Sequence, residues 1–252
     1  MSGQIDVTVD AGVKTLRMNR PEKKNALTDA MYHALADEMI AAESDDAVGA
    51  ILLLGAGGNF TTGNDIADFL AASQGGGLAA DLGVNRFLRC QVEATKPLIA
   101  GVEGLAVGVG ATTLFQCDLV YAADNADIRT PFVDLGLVPE NASSYLAPRI
   151  MGHQRAFEML ALGEPFTAEM GVQAGFVNRV VGADEVEAVA TDAARRLAAK
   201  PREAMAITRR LLRGDPATVG AVAAEEGRLF GERIKSDEAR AAFMAFMSRK
   251  AG

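Results

Sequence analysis

The sequence predicts an α/β protein with mostly parallel strands and a helical C-terminal region. Three observations carry this. The apolar runs VGAILLLGA (48–56), KPLIAGV (96–102) and DLVYAAD (118–124) are continuous rather than alternating, as in strands buried on both faces. Glycine-rich turns and helical patterns separate them, and repeated strand–helix alternation is the mark of an α/β sheet. From Asp184 onward the pattern is almost wholly helical, over 184–199, 201–213, 216–231 and 236–249.

Residues 4–9 and 13–18 alternate around Ala11-Gly12 and predict a β-hairpin. Pro21 stops the second strand, and Thr28 or Asp29 can cap a helix from Asp29 to Glu43 that places Met31, Leu35, Met39 and Ala42 on one face. GGNFTTGNDIADFL (57–70) is a strand–turn–helix unit, with Asn64 or Asp65 as the helix cap. Three successive glycines in 71–80 predict a mobile loop, and a helix over about 81–94 follows. EGLAVGVGATTLFQC (103–117) then brings Gly104, Gly108 and Gly110 to the entry of another helix. Such a turn lets the backbone approach a ligand, and the first helical N–H groups have no intrahelical partner. Either something anionic sits over Val109 and Gly110, or the glycines serve only tight packing. Pro131, Pro139 and Pro148 exclude long elements before about Ser143. Short helices over 152–163 and 167–175 and a short strand, FVNRVV, complete this part. Pro201 and Pro216 suit first-turn positions. The cluster Phe243, Met244, Phe246 and Met247 reads as core or as a subunit contact.

Composition narrows the function. The 252 residues are 49% apolar, enough for a substantial core. A net charge of −8 argues against nonspecific nucleic-acid binding, while leaving room for a small anion held by local cations. Cys90 and Cys117 have no CxxC spacing and read as reduced thiols of a cytoplasmic protein. His33 and His153 form no metal-binding motif, so no metal is expected. The N-terminal residues lack the form of a signal peptide, and no apolar run reaches the ~18 residues of a membrane span.

Four stretches in series resemble the crotonase, or enoyl-CoA hydratase/isomerase, superfamily. NRPEKKNALT is similar to its NRPxxxNAL entry, NFTTGNDI to its FxxGxDI loop, KPLIAGVEGLAVGVGATTLFQCDLVYA to its KPxIAxVxGxAxGxGxxLxxxCD segment, and FVDLGLVPENAS to its region around LGxxP. The similarity runs from about residue 4 to 249. It implies a crotonase-type (ClpP/crotonase) spiral of ββα turns over 1–183, carrying an acyl-CoA site. It also implies a helical trimerisation region over 184–252 and a homotrimer or dimer of trimers. Coenzyme A would enter as part of the substrate, with no separate cofactor. The shared chemistry of the superfamily is a thioester enolate held by two backbone N–H groups, which by position would be those of Thr62 and Val109.

Departures from the pattern decide which reaction is expected. Hydratase-type members use two glutamates; the matching positions here are Thr112 and Phe132, neither of which can act as a base near pH 7. Glu140 follows Pro139 in LVPENASSY and matches the catalytic glutamate of peroxisomal-type Δ3,Δ2-enoyl-CoA isomerases, with Asn141 in place of their glycine. Read without the resemblance, Glu140 is a solvated acid after a turn proline; read with it, Glu140 is the base. Lys24, Ala26, Leu27, Thr62, Gly63, Asn64, Asp65, Ile66, Gly108, Val109 and Phe132 would line the substrate. Lys23 and Lys24 could equally be a solvated pair, and Asp65 a helix cap. Arg249 and Lys250 could reach a phosphate. The leading expectation is an enoyl-CoA isomerase. The alternatives are hydratase-like or ring-isomerising chemistry using Asp134 or Glu103, and a non-catalytic acyl-CoA binder.

Overall fold

The computed structural model describes residues 4–65 and 82–250, without the side chains of 246–250. The segment 66–81, with Ile66, the helix expected after Asp65 and the loop expected at 71–80, lies outside the described residues, as do the side chains of Phe246, Met247, Arg249 and Lys250.

The hairpin forms as its sequence demands. Strands β1 (Ile5–Asp10) and β2 (Val13–Met18) pair antiparallel across Ala11 and Gly12, whose φ angles of 48° and 78° give the left-handed twist of a two-residue hairpin turn. β2 then pairs in parallel with β3 (Ala50–Gly55), β3 with β4 (Leu98–Val102), β4 with β6 (Leu119–Ala123), and β6 with β9 (Arg179–Val181). The result is a six-stranded sheet in the order β1-β2-β3-β4-β6-β9. Its central strands are the three continuous apolar runs.

A second layer was not legible in the sequence. β5 (Leu105–Val107), β7 (Asp127–Arg129) and β8 (Phe166–Thr167) form a separate three-stranded sheet, and Thr61 bridges onto Ala106 beside it. Each of β3, β4 and β6 is thus followed within a few residues by an extended piece of this second layer. That is the repeating turn of the spiral.

Helix α1 (Asp29–Ser44) starts where Thr28 accepts a hydrogen bond from Met31 N, and buries Met31, Tyr32, Leu35, Met39 and Ala42 as the spacing requires. α2 (Gly83–Glu93) packs beside it. α3 (Val109–Leu114) is a buried helix of six residues, and α4 (Ser143–Met151), which was not expected as a helix, begins where the proline-rich stretch ends. α5 (His153–Phe157) runs into a π-helical turn, Glu158–Leu162. α6 (Ala168–Ala174) is capped by Thr167 and ended by Gly175.

α7 (Val186–Ala198) lays Val186, Ala190, Ala193 and Ala194 on Leu52, Leu54, Ile99 and Tyr121, covering the sheet face opposite α1. Pro201 is the N-cap of α8 (Arg202–Arg213) rather than a first-turn residue, whereas Pro216 opens α9 (Pro216–Arg233) as expected. In α10 (Asp237–Lys250) Phe243 is buried and Met244 is exposed, so the apolar cluster divides between core and surface.

Candidate active site

The glycine-rich turns meet. Thr61 N–H donates to Leu105 O at 2.9 Å and Val107 N–H to Thr61 O at 2.9 Å, a parallel pairing of the loop after β3 with β5. Gly63 makes the approach possible. Its φ is +80°, and a Cβ there would lie 2.7 Å from Val107 O and 3.8 Å from Val109 N. Gly110 is equally close on the other side, where a Cβ would meet Thr61 Cγ2 at 2.6 Å.

Asn25, within the NRPEKKNALT stretch, clamps this arrangement. Its buried amide donates to Ala56 O at 2.8 Å and Asn59 O at 2.7 Å and accepts from Arg20 N at 2.9 Å, and its carbonyl accepts from Thr61 Oγ1 at 2.6 Å.

The structure corrects one of the two expected amides. Thr62 N–H is committed to Lys24 O at 3.1 Å. Around Gly63 the chain turns so that Gly63 O accepts from Leu27 N at 2.8 Å and Asp65 N–H donates to Leu27 O at 2.9 Å. This leaves Asn64 N–H over, facing away from Leu27. Among the described residues neither Asn64 N–H nor Val109 N–H makes a hydrogen bond. The pair of free amides is therefore Asn64 and Val109, and not Thr62 and Val109.

Beside them opens a cavity of about 710 Å³, lined by Leu27, Tyr32, Asn64, Asp65, Leu82, Leu88, Val92, Glu140, Gly220, Ala223 and Gly227 among others. Of the residues expected at the site, Leu27, Asn64, Asp65 and Glu140 line it; Lys24, Ala26, Thr62, Gly63, Gly108, Val109 and Phe132 do not. Lys24 supplies its carbonyl to Thr62. Gly108 N–H donates to Arg129 O at 2.8 Å, and Val109 sits just behind Asn64 with its side chain in the core. Phe132 packs edge-on to Phe230, their ring centres 6.5 Å apart, so it backs the cavity instead of touching it. Asp65 pairs with Arg20 at 2.7 Å, which makes it a strut of the loop. Asp134 and Glu103, the carboxylates considered for other reactions, are not in the lining.

Glu140 is not the solvated acid that its neighbours in sequence suggest. It is 6% exposed, and burial pushes its carboxyl up to about 8, aided by the negative charge of Glu226 and opposed by a hydrogen bond with Thr112. Thr112 stands one helical turn beyond Val109 on α3, where its hydroxyl also donates to Val109 O at 3.4 Å. The turn that carries Glu140 is built of two left-handed residues, Asn141 (φ 61°) and Ala142 (φ 57°), closed by Ser143 N–H onto Glu140 O at 3.0 Å. Asparagine tolerates this conformation and so stands in for glycine. Its amide is also fixed, donating to Gln91 Oε1 at 3.1 Å, while Gln116 Nε2 donates to Asn141 O at 2.9 Å.

Sequence reasoning missed four contributors. Tyr32, which lies within the predicted helix and was given no role, donates its hydroxyl to Asn64 Oδ1; burial, and next the charge of Glu140, hold its phenol well above its usual range. Arg89 on α2 lines the same cavity and makes no ion pair among the described residues. Asn25 lay inside a quoted stretch without a role assigned, and Glu226 lies on α9, far along the chain.

The family model described as enoyl-CoA hydratase/isomerase matches residues 8–251. The chain belongs to the enoyl-CoA hydratase/isomerase family. Among relatives, this crotonase-family chain is 36% identical to enoyl-CoA delta isomerase 2 of Rattus norvegicus over 248 residues, 97% of this chain and 63% of that protein. It thus spans less than two thirds of that relative's length. It is also 36% identical to 1,2-epoxyphenylacetyl-CoA isomerase of Escherichia coli (strain K12) over 197 residues, 77% of this chain and 75% of that protein. The solved structure of Pseudomonas aeruginosa OdaA superposes with a TM-score of 0.91 at 42% identity, covering 98% of this chain and 99% of that one. The crotonase fold expected from the motifs is the fold observed.

Proposed function

We propose that the chain is an acyl-CoA isomerase that moves the double bond of a 3-enoyl-CoA to the 2-position. One observation carries the reading: the buried carboxyl of Glu140, pushed up to about 8, at the wall of a largely apolar cavity that Asn64, with its unused backbone amide, also lines.

In the reaction, the thioester oxygen accepts hydrogen bonds from Asn64 N–H and Val109 N–H. The Glu140 carboxylate takes a proton from C2. The C–H electron pair forms the C1–C2 double bond, and the negative charge moves to the thioester oxygen, where the two amides stabilise it. Removing one such donor typically costs ~3–4 kcal/mol of transition-state stabilisation. The Glu140 carboxyl then delivers the same proton to C4. The C3–C4 π pair binds that proton, the C1–C2 π pair shifts to make the C2–C3 double bond, the oxygen pair re-forms the carbonyl, and the conjugated thioester results. A carboxyl whose proton affinity is raised is suited to both steps, since it must take and give up a proton near neutrality.

The Rattus norvegicus relative, named an enoyl-CoA delta isomerase, supports the direction of this reading. A homotrimer or dimer of trimers belongs to the same reading; exposed Leu211 and Leu212 on α8 offer apolar surface for a subunit contact, and sedimentation velocity tests it.

The test of activity uses two thioesters. Incubated with 3-hexenoyl-CoA, the protein should produce the conjugated 2-enoyl product; incubated with crotonyl-CoA, it should show no hydration. Glu140→Gln should abolish conjugation and leave acyl-CoA binding near normal. Conjugation at the unmodified rate in that variant would remove Glu140 from the mechanism, and hydration without conjugation would make the protein a hydratase.

A further inference from the structure

Glu226 is a second buried carboxylate near the site that no step of the reaction uses. It comes from α9, and its Oε1 accepts from Ser144 N at 2.9 Å and from the Ser144 hydroxyl. Ser144 is the second residue of α4. The N-cap of that helix is Ala142, whose side chain accepts nothing. The exposed donors at the start of α4 are thus capped from a different helix, by a charged group that the helix dipole favours. The capped end is also the end of the left-handed turn, Glu140–Asn141–Ala142–Ser143, so Glu226 fastens the segment on which Glu140 rides. The other oxygen of Glu226, Oε2, has no partner among the described residues, and neither has Oε1 of Glu140.

We propose that Glu226 is a positioning residue for Glu140: it pins the start of α4 and presents its carboxylate charge to the Glu140 carboxyl. The inference rests on Glu140 being the base. Other titratable groups surround the cavity: Asp29 and Tyr32 on α1, Asp65 on the loop, Arg89 and Glu93 on α2, Arg228 on α9. Of these Asp65 is paired with Arg20 and Arg228 with Glu225 and Glu232, whereas Glu226 is the carboxylate whose charge bears on Glu140. Two Ser144 donors favour the ionised form of Glu226 and offset part of the push upward from its own burial. The charge that those donors favour on Glu226 in turn disfavours charge on Glu140.

The experiment reads the Glu140 proton directly. The infrared band of a buried protonated carboxyl, assigned by its loss in Glu140→Gln, is titrated with pH in the full-length protein without substrate. The pH profile of kcat/KM for 3-hexenoyl-CoA is measured alongside. Glu226→Gln should lower the midpoint of the band, and the acid limb of the profile, by about one pH unit, as loss of a near like charge does. Glu226→Asp, which keeps the charge, should restore most of the shift. A purely structural cap would lower the rate and leave both midpoints in place, and that result overturns the proposal. Should Glu226→Gln fail to fold, the double variant Glu226→Met with Ser144→Ala removes both polar partners together and is read by the same band. A band that shifts in a protein with no isomerase turnover would keep this inference and refute the functional reading; turnover with an unshifted band would do the reverse.

Discussion

Keeping a carboxyl dry has a cost that should be measurable as stability. Burial raises Glu140 from 4.5 to about 8, so in the pH range between those values the folded chain holds a proton that the unfolded chain has released. Stability therefore falls as pH rises through that window, and the loss is complete above about 8. From pH 5 to pH 8 the gap is three units, and at ~1.36 kcal/mol per unit the loss is ~4 kcal/mol. A glutamine at 140 has nearly the same shape and nothing to titrate. Urea unfolding followed by circular dichroism, for both proteins from pH 5 to pH 9, gives the comparison. Glu140→Gln should gain on the unmodified chain by ~4 kcal/mol across that range, whatever constant offset its unpaired amide imposes at pH 5. Curves that stay parallel to within ~1 kcal/mol would mean that the carboxyl is wet, and the argument for a proton-shuttling base would lose its physical ground.

Gly63→Ala forces a Cβ to within 2.7 Å of Val107 O at a φ of +80°, and should both destabilise the chain by ~1–3 kcal/mol and cut kcat, read by thermal denaturation and by the conjugation assay. Tyr32→Phe removes the hydroxyl that holds Asn64 Oδ1; kcat should fall about tenfold, the worth of one hydrogen bond, with KM little changed. Gly227 lines the cavity from within α9 and a Cβ there meets nothing within 4 Å, so Gly227→Ala should raise stability by ~0.5–1 kcal/mol, measurable as a higher urea midpoint.

What could be read from the sequence was set by length and by register. β3, β4 and β6 are runs of five or six residues buried on both faces, long enough for their continuous apolar character to mark them. β5, β7 and β8 have three, three and two residues, too few for any periodicity, and their pairing is decided by partners far along the chain. The same limit explains Thr62. Which amide of the loop is left free depends on where Gly63 turns the backbone and on which residues pair with Leu27 and Lys24, a matter of tertiary register that no local pattern encodes. Glu140 was legible only through its match to a known motif, because an acid after a proline looks solvated until α3 and α9 close over it. Glu226 carries no local signal at all: the Ser144 it caps lies 82 residues away.

The placement of groups around Glu140 limits the chemistry more firmly than the presence of the carboxyl does. Hydration needs a second base to hold and deprotonate a water. The two positions that would supply it are Thr112, a hydroxyl that is no base near pH 7 and that donates to Val109 O at 3.4 Å, and Phe132, which is packed against Phe230 behind the wall. Two other acids of the lining are engaged elsewhere: Asp65 pairs with Arg20, and Asp29 accepts from Gly83 N–H at 2.8 Å and faces His33. Glu93 lies at the last residue of α2, and the apolar Leu88 and Val92 also line the cavity from that helix. Among the described acids of the lining Glu140 is the buried one. The proposed isomerisation follows from that placement, since one sheltered carboxyl can take a proton from one carbon and return it to another.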